Sequence, residues 1–328
     1  MSGDLAPDWI LKAALATQDT AHKSFVRMKP ELRTQDEGLT MTVLGCGTMG
    51  TALLKGLLTS LETKPQTSDD GPHQIPTKFN ACVRSSTGAK RVHAALEKFD
   101  ANVQVFEDDN VTAVKEADMV LLACKSRVSK EILSEDSMRE ALEGKLLISI
   151  VAGIPRKQLL NVLSNHDEKR RNNFIVVRAA PNLAVAVGES MTAIARPGSE
   201  LDEEKRELVD WIFNCVGKIV YLEEDQMPNA TALCSSGPAI CALIAESLAA
   251  GAIRSGVHRE EAHAMVTQVL RGTVSLLENG EHPAALKEKA SASVRTAAGI
   301  DVLEESALRA TISKALSHAA PSTASERW

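Results

Sequence analysis

Short runs of aliphatic and β-branched residues recur along the first two thirds of the chain, at 41–44, 81–83, 103–106, 119–123, 146–151 and 174–177. Between them lie stretches long enough for one helix each. The runs are continuous in apolar character instead of alternating, as strands covered on both faces are. This pattern predicts a doubly wound parallel sheet, an α/β domain over residues 40–222. Beyond Glu223 the strand signals stop, and Ala, Leu, Glu and Arg follow helical spacing. Helices are predicted at 225–233, 238–255, 259–278, 283–289, 296–306 and 308–318, punctuated by Gly256, Gly280 and the serines at 291 and 293. The second domain, 223–320, is therefore expected to be all-helical. Residues 1–39 form a leader without an assigned role, and 321–328 form a tail.

Residues 59–78 interrupt the pattern with a polar insert that contains Pro65, Gly71, Pro72 and Pro76, predicting a solvated loop between the first helix and the second strand. Residues 7–30 have the spacing of an amphipathic helix. The first residues carry Asp4 and Asp8 and lack the basic start and apolar core of a secretory or transit peptide. The longest apolar stretch, 238–257, is broken by Glu246 and Arg254, so it is expected to be a buried helix and not a membrane span. No internal repeat is evident.

Composition narrows the function classes. The 328 residues carry a net charge of −6 and are 3% aromatic, with no Phe, Tyr or Trp between Tyr221 and Trp328. An acidic chain with so few rings lacks the basic face and stacking platforms of a nucleic-acid binder. The six cysteines show no Cys-x-x-Cys spacing, which points to a reduced protein without a zinc site, with the cytoplasm as the default location. No histidine pair at metal-ligand spacing is present; His263 is a single histidine on a predicted helix. No metal is expected.

The strongest local motif is Gly45-Cys46-Gly47-Thr48-Met49-Gly50, directly after the first strand and opening a helix expected at 48–58. The first glycine allows a tight turn, the second lets backbone approach a pyrophosphate, and the third lets helix pack on strand. The helix N-terminus then offers amide donors to the anion. An NAD enzyme usually places Asp or Glu after the second strand for the ribose hydroxyl. Here Arg84-Ser85-Ser86-Thr87 follows instead, a cation and three hydroxyls suited to a 2′-phosphate. NADPH is the expected cofactor, with NADH the alternative.

From this motif onward the chain resembles the pyrroline-5-carboxylate reductase family. The resemblance runs through Leu121-Leu122-Ala123-Cys124-Lys125, Val151-Ala152-Gly153-Ile154, Arg178-Ala179-Ala180-Pro181-Asn182 and Thr231-Ala232-Leu233-Cys234-Ser235-Ser236-Gly237-Pro238-Ala239. It continues through Glu246-Ser247-Leu248-Ala249, Gly256-Val257-His258-Arg259, Glu281-His282-Pro283, Leu286-Lys287-Glu288-Lys289 and Val302-Leu303-Glu304, spanning about residues 40–318. It implies reduction of the cyclic imine 1-pyrroline-5-carboxylate to L-proline, the last step of proline biosynthesis. It also implies a Rossmann domain followed by a helical dimerisation domain, with active sites built in a homodimer or a higher assembly of dimers. By the same resemblance Gly45 to Gly50, Arg84, Ser85, Ser86, Asn110, Ala123, Cys124, Lys125, Val151, Ala152 and Gly153 line the cofactor. Thr296 and a nearby serine hold the imine and the carboxylate.

The substrate loop departs from the family pattern. Relatives read approximately Ser-Pro-Gly-Gly-Thr-Thr, whereas this chain reads Ser291-Ala292-Ser293-Val294-Arg295-Thr296. Val294 does not reproduce the backbone freedom of glycine. Ser291 and Ser293 are rival serines, and Arg295 has three readings: a clamp for a carboxylate, a filler of substrate space, or a solvent-facing cation. Ser126, Leu183-Ala184 and Ile240 stand where relatives carry Pro, Thr-Pro and Tyr. Two alternatives therefore accompany the leading function: reduction of a different cyclic imine carboxylate in specialised metabolism, and a catalytically impaired subunit that serves in assembly.

Overall fold

The computed structural model of the chain describes residues 38–63, 72, 74–198 and 201–320. The helix expected at 7–30, much of the insert (64–71 and 73) and the 321–328 tail lie outside the described residues. The described chain divides into two compact units, one holding 38–238 with 316–320 and the other holding 239–315.

The first unit is built on an eight-stranded sheet. Its strands are β1 (Leu39–Leu44), β2 (Pro76–Val83), β3 (Val103–Glu107), β4 (Met119–Leu122), β5 (Leu146–Ser149), β6 (Ile175–Ala180), β7 (Ser190–Ala195) and β8 (Gly217–Leu222). They lie in the order β3-β2-β1-β4-β5-β6-β7-β8. The first six pair in parallel, the doubly wound arrangement expected from their apolar runs. β7 and β8 were not among the predicted strands, and β7 pairs antiparallel with β6, so the sheet is mixed. The physical reason is the connection after β6. Residues 181–189 make one 3-10 turn, capped by Asn182 and closed by Gly188 at φ +73, too short for the crossover of about a dozen residues that parallel pairing needs.

Seven helices belong to the first unit alone: α1 (Thr48–Thr63), α2 (Ser86–Leu96), α3 (Asn110–Lys115), α4 (Ser126–Ser134), α5 (Asp136–Leu142), α6 (Arg156–Leu163) and α7 (Glu203–Asn214). They cover both faces. Met41, Val43 and Ile148 pack with Leu53, Leu57 and Phe213 on one side, while Leu44, Val120 and Leu147 pack with Leu133 and Leu163 on the other. The two ends of the 59–78 insert are regular structure instead of loop: α1 continues through Thr63 and β2 begins at Pro76.

α8 (Met227–Arg254) replaces the two helices predicted at 225–233 and 238–255. Pro238 stands inside it and forfeits one backbone hydrogen bond, but the Ala- and Leu-rich segments on either side each form several helical turns. The 239–315 unit continues with α9 (Arg259–Glu278), α10 (Pro283–Ala290), α11 (Val294–Glu305) and α12 (Leu308–Ala319), the last extending past its border. The apolar stretch 238–257 is not buried within the chain as predicted: Leu243 is 62% exposed and Leu248 47%. By length and composition alone α8 would suffice to cross a membrane, with a stretch of mean hydropathy 1.5. Its small residues suit close packing against other helices equally well.

Candidate active site

The glycine-rich turn forms where β1 ends. The Ala123 amide donates to the Leu44 carbonyl at 2.9 Å, and the Cys46 amide donates to the Cys82 carbonyl at 2.9 Å, binding the turn to the carboxyl ends of β4 and β2. Gly45 has φ +91, and a Cβ there would lie 2.7 Å from the Cys124 Cα. At Gly50 a Cβ would lie 2.8 Å from the Gly45 carbonyl oxygen. Both glycines are required by the fold itself. At Gly47 a Cβ would meet nothing within 4 Å, so no packing in the chain demands glycine there. The open side of Gly47, with the α1 N-terminus beginning at Thr48, fits close approach of a dinucleotide pyrophosphate.

Arg84, Ser85 and Ser86 follow β2 and are exposed. Ser85 caps α2, its Oγ accepting from the Gly88 amide at 3.3 Å. Arg91, which the sequence reading passed over, donates from Nη2 to the Cys46 carbonyl at 3.0 Å. Asn110 opens α3 in the turn after β3, where the Asp108 amide donates to the Val83 carbonyl at 2.9 Å.

A cleft of about 480 Å³ opens at the carboxyl ends of β4, β5 and β6. Of the predicted residues it gathers Met49, Ala123, Cys124, Lys125, Val151 and Ala152, and Gly153 follows at φ +79. Burial pushes the Cys124 thiol up to about 11 and the Cys46 thiol up to about 12, so both are neutral at physiological pH and neither is an activated nucleophile. Among the lining residues that were not on the predicted site are Arg127, Arg178, Thr231 and Ser235. Thr231 and Ser235 are one turn apart on α8, a spacing that was readable from the sequence. Arg178 is almost fully buried on β6 and donates from Nη1 to Glu224 Oε1 at 2.7 Å, an oxygen that also accepts from the Arg156 amide at 3.3 Å. The paired guanidinium thus fixes one wall. A second concavity of about 320 Å³, lined by Thr40, Lys78 and Gln104, lies at the amino ends of the strands, away from the edge where such sheets bind ligands.

The predicted substrate residues Ser291, Ser293, Arg295 and Thr296 belong to the helical unit. α11 starts at Val294, two residues earlier than predicted, because Ser293 is its N-cap. Ser293 Oγ accepts from the Thr296 amide at 3.1 Å and lies 2.7 Å from Thr296 Oγ1. Ser291 Oγ is buried without a hydrogen-bond partner. Val294 and Arg295 are exposed, Val294 by 87%. Among the described residues no cluster of three or more metal-ligating side chains occurs.

A glycine-rich first turn, an α1 N-terminus and a cleft at the carboxyl edge of a doubly wound sheet define a dinucleotide-dependent oxidoreductase. Residues 40–153 accordingly match the family described as NADP oxidoreductase coenzyme F420-dependent. Residues 224–325 match pyrroline-5-carboxylate reductase dimerisation. A pyrroline-5-carboxylate reductase of Lophium arboricola is 42% identical over 291 residues, 86% of this chain and 91% of the relative. That of Neurospora crassa is 39% identical over 310 residues, 88% and 93% of the two chains. The chain belongs to the pyrroline-5-carboxylate reductase family. The solved structure of Plasmodium falciparum pyrroline carboxylate reductase with NADP bound shares the fold, with a TM-score of 0.69 at 22% identity over 86% of this chain and 95% of that one.

Proposed function

We propose that this protein reduces the ring C=N bond of 1-pyrroline-5-carboxylate to L-proline at the expense of NAD(P)H. The observation that carries this reading is the 42% identity to a named pyrroline-5-carboxylate reductase across 86% of the chain. The bound cofactor supplies a hydride to the imine carbon while a proton reaches the ring nitrogen. The amides at the α1 N-terminus hold the pyrophosphate, and the absence of an acid after β2, with Arg84 in its place, favours NADPH over NADH.

The site chemistry follows from α11. Ser293 Oγ already accepts the Thr296 amide, which leaves the amides of Val294 and Arg295 as donors for the substrate carboxylate. Thr296 Oγ1, linked to Ser293 Oγ, donates toward the ring nitrogen and orients the imine for attack. Arg295, exposed and with no ion pair among the described residues, favours a second reading, reduction of a different cyclic imine carboxylate whose carboxylate it would clamp. The exposed apolar residues of the helical unit and the dimerisation match support a homodimer or a higher assembly of dimers. Six free cysteines support work in the cytoplasm, where thiols stay reduced.

The decisive experiment measures NADPH and NADH oxidation with pyrroline and piperideine carboxylates, with proline identified as product. Turnover of pyrroline-5-carboxylate is expected; preference for another ring favours the second reading, and a folded protein silent with every imine leaves only an assembly role. In the active enzyme Thr296→Val lowers kcat by roughly 10²-fold, the range of a lost proton donor, with NADPH affinity unchanged.

A further inference from the structure

We propose that Arg91 is a specificity-determining residue for the cofactor, a second guanidinium that, with Arg84, reads the 2′-phosphate of NADPH. The inference rests on the dinucleotide reading above and adds to it a residue outside the Arg84-Ser85-Ser86 turn. In a doubly wound sheet the adenosine ribose lies between the first glycine turn and the end of the second strand. Arg84 and the hydroxyls of Ser85, Ser86 and Thr87 were expected to meet its phosphate there; Ser85 Oγ accepts from the Gly88 amide as the α2 cap and keeps its own hydrogen to donate. Arg84 is the one cation of that turn, and a doubly charged ester calls for more than one.

Arg91 is placed to be the second. Val92 and Leu96 bury the inner face of α2, which fixes the helix rotation and leaves Arg91 on the exposed side. Its side chain runs back along the helix to the Cys46 carbonyl at 3.0 Å, so the guanidinium spans the gap between α2 and the glycine turn. That bond uses one of five N–H donors and a neutral acceptor. Neither Arg84 nor Arg91 has a carboxylate partner among the described residues, and the first turn of α2 carries no acid. Arg84 directly precedes the α2 N-cap and Arg91 reaches the glycine turn, so each side of the ribose position offers a guanidinium without a carboxylate partner among the described residues, which a doubly charged phosphate ester would supply.

The test is direct binding to the full-length protein, by calorimetry, of adenosine 2′,5′-diphosphate and of adenosine 5′-monophosphate, which lacks the 2′-phosphate. Arg91→Met is expected to weaken the diphosphate at least about tenfold and the monophosphate less than about twofold, as loss of a charge-assisted contact to one group requires. Arg91→Gln, which keeps an amide donor, serves as the second variant should the first fold poorly. In turnover the KM for NADPH rises while those for NADH and the imine hold. Equal weakening of both nucleotides would mean that Arg91 only braces the glycine turn, and unchanged binding would remove it from the site; either overturns the inference while the dinucleotide reading stands. Wild-type protein that binds neither nucleotide overturns both.

Discussion

Residues 38–238 bury apolar side chains on both faces of their sheet, whereas in 239–315 only Ala249 and Ala262 are buried among the described residues. The two regions do not differ in apolar content so much as in where it goes. On α9 the residues Met265, Val269 and Leu276 recur at helical spacing, the pattern that elsewhere in the chain marks a core face, but each is at least 45% exposed. A sheet with helices on both sides closes its own core, while a few helices from one chain have too little area to do so. Such a stripe fits the half of a core that needs a partner, in line with the match of 224–325 to the dimerisation family.

The largest effects separate these two kinds of core. Leu57→Ala, in the sheet unit, is expected to cost about 2–5 kcal/mol at every protein concentration. Val269→Lys leaves the sheet unit intact but dissociates the assembly, so that apparent stability falls with dilution. Chemical denaturation at two concentrations, with sedimentation for the mass, reads both. A Val269→Lys protein that keeps its mass and melts independently of concentration would break the comparison.

The glycine turn sharpens the contrast within one unit. Gly45→Ala is strained at φ +91 and overlaps Cys124, so it should cost about 2–4 kcal/mol. Gly47→Ala has open space around it and should leave the melting temperature nearly unchanged while weakening NADPH binding more than about tenfold. Matching losses of stability for the two variants would contradict the assignment of Gly47 to the ligand.

A smaller effect comes from pH. Burial raises the Cys124 thiol from its ordinary 9.0 to about 11, so the fold favours the neutral form. A group raised in this way contributes stability that is complete below pH 9 and lost as the pH climbs toward 11. The loss is on the order of 1–2 kcal/mol once partial exposure is allowed for. Cys124→Ser should flatten the alkaline limb of a stability profile. Alkylation of Cys124 by iodoacetamide should also be slow at neutral pH.

The parts of the molecule legible in the sequence are those fixed by local pattern. Six parallel strands showed as continuous apolar runs, and Arg259–Glu278 appeared with the bounds that periodicity assigned, since Gly280 ends it. β7 was missed because Ser190, Met191 and Thr192 open it without an aliphatic run, and β8 because only part of its length is buried. Pro238 signals a break locally, but enough helix-forming residues lie on each side to carry α8 across it. The glycine turn after β1 and the helix it opens were readable from spacing. Arg91 and Arg178 were not, because their roles depend on the Cys46 carbonyl and on Glu224, partners 45 and 46 positions away.

The finest test concerns the cap of α11. Ser293 serves two groups with one oxygen, accepting the Thr296 amide and touching the Thr296 hydroxyl. Ser293→Ala removes a helix cap worth about 1 kcal/mol, a melting shift of only a few degrees in a protein of this size. If the oxygen also orients Thr296, the same change must lower kcat further than its stability cost explains. Ser293→Asp keeps an acceptor for the amide and so restores the cap, but it sets a carboxylate where the substrate carboxylate would bind, so stability recovers and the KM for the imine rises. A Ser293→Ala enzyme of full activity with the expected melting shift would show that the serine acts on the helix alone, leaving Ser291, whose Oγ is buried without a partner, as the serine to test next.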